Sequence, residues 1–220
     1  MNRSAVLLAR CLAFVETYDL APDGRVFFPD VAKELVARYQ FQKFPTEFSQ
    51  FDETKGIEFL EGKRGTEVIQ KLTIYNNGIL LDTRTDTGVS KEIIGEMLDW
   101  GKATFGLRYK PEMVTRYGYV SQVTFYSEGL LRALNPALNK LAADLSATVS
   151  QIQKEQIDYQ VTALVFQHDL LKRKTALAGF TIIPRIETPL SEGKFFSEAP
   201  VPTDVHWNLL EQLENALKPK

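Results

Sequence analysis

"TEVIQKLTIYNNGILLDTRT", residues 66–85, decides the class of fold. Apolar and polar residues alternate on both sides of Asn76-Asn77-Gly78. Val68, Leu72 and Ile74 precede that triplet, and Ile79 and Leu81 follow it. A period of two is the pattern of a half-buried strand. Asn-Gly between two such runs is a strong hairpin signal, because both residues accept positive φ. The stretch therefore predicts an antiparallel pair, 66–75 with 79–85.

Upstream, "GIEFLEGKRG" (56–65) predicts a further strand that turns at Glu61–Gly65. "SAVLLARCLAFV" (4–15) is apolar and follows Arg3, as a secretory leader would. Arg10 interrupts the run, and no small-x-small cleavage site precedes Glu16 and Asp19, so a buried strand over 4–16 is expected. A short strand at Arg25–Phe28 follows the turn-forming "PDGR" (22–25). "PDVAKELVARY" then predicts a helix over 30–39, with Val31, Leu35 and Tyr39 four apart. Residues 40–56 carry Phe41, Phe44, Phe48 and Phe51, but Pro45 interrupts the helical spacing, and an irregular aromatic connection is expected.

Downstream, "SKEIIGEMLDWGKATF" (90–105) reads as a helix burying Ile93, Ile94, Met97 and Leu98, and "RYGYVSQVTFYSE" (116–128) as an aromatic strand. "NPALNKLAADLSATVSQIQ" (135–153) is the clearest helix. Asn135 caps it, Pro136 occupies the first turn, and Leu138, Leu141, Leu145, Val149 and Ile152 form one apolar face. Residues 158–170 and 175–187 predict a hairpin around "LKRK" (171–174). A Pro-rich loop, 187–202, then leads to a last helix over 203–217. Strands adjoin strands, and the βαβα rhythm is missing. The fold expected is α+β: a mainly antiparallel sheet built from hairpins with about four helices packed on it, one domain over residues 1–220.

The chain of 220 residues is long enough for one full core. Its formal net charge is −2, so no whole-molecule field attracts nucleic acid. Cys11 is the only cysteine; it rules out an intrachain disulfide and, with His168 and His206, is a poor supply for zinc. A cytoplasmic protein that does not span a membrane is expected, since no run of some 18 apolar residues occurs.

Asp82 and Asp86 invite a catalytic reading, because Asp86-Thr87-Gly88 is the spelling around the nucleophile-activating aspartate of aspartic proteases. That site needs the triplet directly after an apolar strand. Here Asp82 has the apolar run and Asp86 has the glycine, so the features are split. An acid just before the helix that follows is a cap. A second set, Asp30 with Glu61-Gly62-Lys63, has the residue types of a metal-dependent nuclease or phosphodiesterase: oxygen ligands for a hard cation and a lysine for developing charge. Asp30 at a helix start and Glu61–Lys63 at a turn also read as a cap and a solvated corner. No P-loop, G-x-G-x-x-G or G-x-S-x-G is present, and no cofactor is expected. His206 shares the apolar stripe of the last helix and is expected as a packed core residue.

Basic residues at the two proposed hairpin tips, Lys63 and Arg64, and Lys172, Arg173 and Lys174, are the candidates for a nucleic-acid-binding module. Arg108, Tyr109, Lys110, Arg116, Tyr117 and Tyr119 add cations among aromatics. The negative total charge disfavours that use. Phe195 and Phe196, adjacent in an apolar loop, are expected to divide between the domain body and a protein contact. The long amphipathic helix at 136–153 is also able to pair with a partner helix, although burial of its apolar face in the core is the default expectation, as it is for the loop. The reading that follows is a non-catalytic interaction protein, a homo-oligomer or an accessory subunit of a larger complex.

Overall fold

The computed structural model describes residues 1–22, 26–128, 130, 136–169 and 177–217. Its strands are β1 (Asn2–Phe14), β2 (Ile57–Arg64), β3 (Glu67–Tyr75), β4 (Gly78–Thr83), β5 (Arg116–Tyr126), β6 (Leu164–Phe166), β7 (Phe180–Pro184) and β8 (Lys194–Ala199). Its α-helices are α1 (Thr17–Leu20), α2 (Phe28–Tyr39), α3 (Thr87–Phe105), α4 (Pro136–Gln153) and α5 (Thr203–Leu217). The α+β class with an antiparallel sheet is therefore what the chain adopts.

The chain divides into two compact units. The first to be described comprises Val6–Ser121 and Pro200–Asp204. Within it the strand order is β2-β3-β4-β1-β5. Tyr75 pairs with Gly78, so the expected hairpin forms around a two-residue turn, Asn76–Asn77. Its chemistry differs from expectation: neither asparagine nor Gly78 has positive φ. Gly78 is needed for space instead, since a Cβ there would stand 2.9 Å from the Ala13 carbonyl oxygen. The core joins Cys11, Phe59, Leu72 and Leu81 of the strands to Leu35 and Tyr39 of α2 and to Ile93, Ile94 and Leu98 of α3.

One correction follows from backbone geometry. The β3–β4 register shifts between Ile69 and Lys71, leaving Gln70 as an extra residue. An inserted residue reverses which side chains face the core. Ile69 is thus fully buried, whereas Val68, expected inside, is 55% exposed. On the neighbouring strand Glu61 takes φ 58°, and β2 continues past it to Arg64. The turn expected at Glu61–Gly65 therefore comes later: β2 passes through Glu61 in unbroken register with β3 and turns only at Gly65–Thr66, where Gly65 has φ 58°. The short strand expected at Arg25–Phe28 is also corrected. Arg25 lies outside the described residues, Phe27 is the N-cap of α2, and Phe28 is already helical because Pro29 favours a first turn.

The other unit comprises Met1–Ala5, Gln122–Ala199 and Val205–Lys220, with strand order β5-β8-β7-β6. Leu164–Phe166 pairs with Phe180–Ile182, so the 158–187 hairpin forms, although its basic tip lies outside the described residues. The supposed loop 187–202 is largely ordered: a single 3-10 turn at Leu190–Glu192 and then β8, paired with β7. Its apolar composition is that of a strand. Val123, Phe125, Ile182 and Phe195 and, on α5, His206, Trp207 and Leu210 are among this unit's buried side chains.

Candidate functional site

The two aspartates of the sequence prove structural. Arg10 and Asp82 are cross-strand partners on β1 and β4. The guanidinium donates from Nε to Asp82 Oδ1 and from Nη2 to Oδ2, both at 2.8 Å, and Asp82 is only 4% exposed. This fork leaves the carboxylate occupied rather than presented to a substrate. Asp86 is the N-cap of α3, and its Oδ1 accepts from the Gly88 N–H at 2.6 Å. Thr87 and Thr203 complete the helix start: the hydroxyl of each accepts the backbone N–H of the other.

Asp30 is exposed in the first turn of α2, and Glu61 and Lys63 are exposed on β2. Glu61, at φ 58°, forms an ion pair with Lys43. Among the described residues no three His, Cys, Asp or Glu side chains converge as metal ligands. A buried pair, His206 Nε2 and Ser197 Oγ, lies at 2.8 Å. Ser197 commits its hydroxyl hydrogen to the Thr181 carbonyl at 2.6 Å, so His206 donates to it and is not its base.

Arg64 is not free to meet phosphate. Its Nε donates to Glu96 at 2.6 Å and its Nη2 to Glu92 at 2.7 Å. Arg38 and Tyr39 also bond Glu96. Burial favours the neutral form of Glu96, but the hydrogen bonds and charges of Arg38 and Arg64 outweigh it and hold the carboxyl below its ordinary range. Lys63 remains exposed, and Lys172, Arg173 and Lys174 lie outside the described residues. Of the other basic-aromatic candidates, Tyr109 is buried, and Arg116 stands 3.8 Å over the Phe14 ring. Tyr117 and Tyr119 stack on each other, with Lys91 over Tyr117.

Strand alternation explains the paired phenylalanines. Phe195 faces inward against Phe125, with ring centroids 5.6 Å apart. Phe196 points to the other side, half-buried, opposite Ile183.

Two features that the sequence did not single out as sites emerge. One is a cavity of ≈ 360 Å³ beside the aromatic connection, lined by Lys43, Phe44, Asp52, Lys55 and Glu58 among others. The other is an apolar cavity of ≈ 220 Å³ between α2, α3 and the sheet, lined by Phe28, Val31, Leu72, Met97 and Trp100, with Thr17, Tyr18 and Glu53 among its polar lining groups. The second is smaller than the ~300–1,000 Å³ usual for ligand pockets, and most of its walls are core side chains.

The stronger feature is α4. Its sequence from 136 to 153 has no glycine and, after Pro136, no proline, so it propagates as a regular helix; Lys154, at φ 57°, stops it. One edge is small and polar. Ser146 Oγ accepts the Tyr159 N–H at 2.8 Å and Ser150 Oγ accepts the Ile157 N–H at 2.9 Å, so the chain leaving the helix folds back along that edge. The adjacent edge is the leucine stripe expected to be buried. It is not: Leu138 is 44% exposed, Leu141 63%, Leu145 43% and Ile152 68%, and Val149 is half-buried. Short serine side chains let the returning segment dock closely, which is why it takes the serine edge and leaves the leucines in water. Those four residues expose roughly 400 Å², in the ~300–600 Å² range of a typical monomer's largest apolar patch, which is often functional.

Neither the models of known protein families nor the curated proteins contain a match to this chain.

Proposed function

We propose that this protein acts by association, as a self-associating protein or an accessory subunit of a larger complex, with α4 as its contact surface. The observation that carries the reading is the exposed stripe Leu138, Leu141, Leu145 and Ile152. Water contact with such a stripe is costly, and a partner surface relieves the cost without any change in this chain's own fold. The site candidates of the sequence point the same way: Asp82 and Asp86 are held by Arg10 and by the α3 backbone, and Arg64 by Glu92 and Glu96. Buried Cys11 suits a cytoplasmic, reducing setting, and no described helix is long and apolar enough to cross a membrane.

The test is a pair of charge insertions on the stripe, Leu141→Glu and Leu145→Glu. The mass of the assembly is measured by light scattering, and bound proteins are recovered with the tagged full chain. Loss of assembly at an unchanged melting temperature is expected. Assembly that survives both substitutions, or an unmodified chain that associates with nothing, refutes the reading.

A further inference from the structure

We infer that the occupant of the α4 stripe is a second copy of this chain, docked antiparallel across a two-fold axis at Leu145. The inference rests on the association reading above and names its partner. The stripe residues are Leu138, Leu141, Leu145, Val149 and Ile152, so their spacing runs three, four, four, three. The pattern reads the same in both directions. In an antiparallel pair centred on Leu145, Leu138 meets Ile152, Leu141 meets Val149, and Leu145 meets its own copy. A two-fold interface demands this reciprocity, in which residue i meets j and j meets i.

Lys140 and Asp144, the only charged residues between 136 and 153, are exposed and lie off the stripe, so docking across it buries neither. Antiparallel docking also opposes the two helix dipoles, the favourable arrangement. The exposed stripe residues supply roughly 400 Å² per copy, or roughly 800 Å² for the pair, and burial of the flanking residues has to supply the remainder of the ~1,000 Å² that a specific interface needs. The serine edge is already taken by residues 157–159, so the second helix approaches from the leucine edge.

Single cysteines test the geometry in the full chain. The native Cys11 does not interfere, being fully buried, and the unmodified chain is the control. Under mild oxidation with copper phenanthroline, which takes the two electrons while two thiols lose their protons, Leu145→Cys should link to itself. Leu138→Cys alone should not, because its two copies stand about 20 Å apart along the helices, beyond the ~4 Å Cβ separation of a disulfide. Ile152→Cys alone should not, for the same reason, but the two variants mixed should cross-link. The unmodified chain should show twice the monomer mass in light scattering, and Leu141→Glu should return it to monomer with its melting temperature unchanged. Self-linking of Leu138→Cys and Ile152→Cys would mean a parallel pair and overturn the inference. A dimer that fails to link through Leu145→Cys, or that ignores Leu141→Glu, also overturns it. A chain that stays monomeric while α4-dependent capture of a different protein persists sinks the second-copy inference and leaves the association reading standing. A monomer with no α4-dependent capture ends both.

Discussion

Replacing Asp82 by alanine separates a structural carboxylate from a chemical one. The native side chain accepts two charge-assisted hydrogen bonds from Arg10 at 2.8 Å, and its own exposure is 6% against 36% for Arg10. Breaking one side of a fully buried pair costs about 3–5 kcal/mol, chiefly because the surviving charge is stranded. Here the Arg10 side chain is 36% exposed and reaches water, so Asp82→Ala should cost about 2 kcal/mol. On a chain of this size that lowers the melting midpoint by about 4–8 °C. Urea unfolding followed by circular dichroism measures the loss, and Asp82→Asn, which keeps the shape but not the charge, should lie between wild type and alanine. The double variant Arg10→Leu with Asp82→Leu should be more stable than Asp82→Ala alone, because it removes the charge that Asp82 balanced as well. A loss under about 0.5 kcal/mol, or a double variant that simply sums the two single losses, would refute the account.

Asp86→Asn should leave stability nearly unchanged and Asp86→Ala should cost about 0.5–2 kcal/mol, because either oxygen-bearing side chain accepts the Gly88 N–H; equal losses in chemical denaturation would contradict the cap. Gly78→Ala should destabilise by about 1–3 kcal/mol through its clash with the Ala13 carbonyl, and a neutral result would mean that β1 and β4 have room to part. Glu96 has a folded-state pKa held low, so its stabilisation is present above the ordinary glutamate value of about 4.3 and is lost as pH falls through the lower folded value. Glu96→Gln should therefore be less stable than wild type at pH 7, with the gap closing below about pH 4; a gap constant from pH 7 to pH 3 would speak against the Arg38–Glu96–Arg64 cluster.

Local periodicity carried most of the fold. Strand alternation at 66–75 and 79–83, helical spacing at 31–39 and 93–98, and the Pro136 start of α4 all depend on neighbours a few residues away, and all formed. The α3 cap was legible for the same reason, since Asp86 bonds a backbone group two residues on. What the tertiary structure decided involves distant partners. The extra residue at Gln70 is defined only against β4, and it alone turns Val68 out and Ile69 in. Residues 194–199 are a strand because β7 lies alongside to take their hydrogen bonds; without that pairing their Pro-flanked, aromatic sequence reads as a loop. Arg64 looked like a hairpin-tip cation because Glu92 and Glu96 are some thirty residues away in the chain. The stripe of α4 was visible as a pattern, but a pattern cannot say which edge of a helix meets its own chain. Two serines one turn apart, binding the backbone at Ile157 and Tyr159, made that choice and left the leucines exposed.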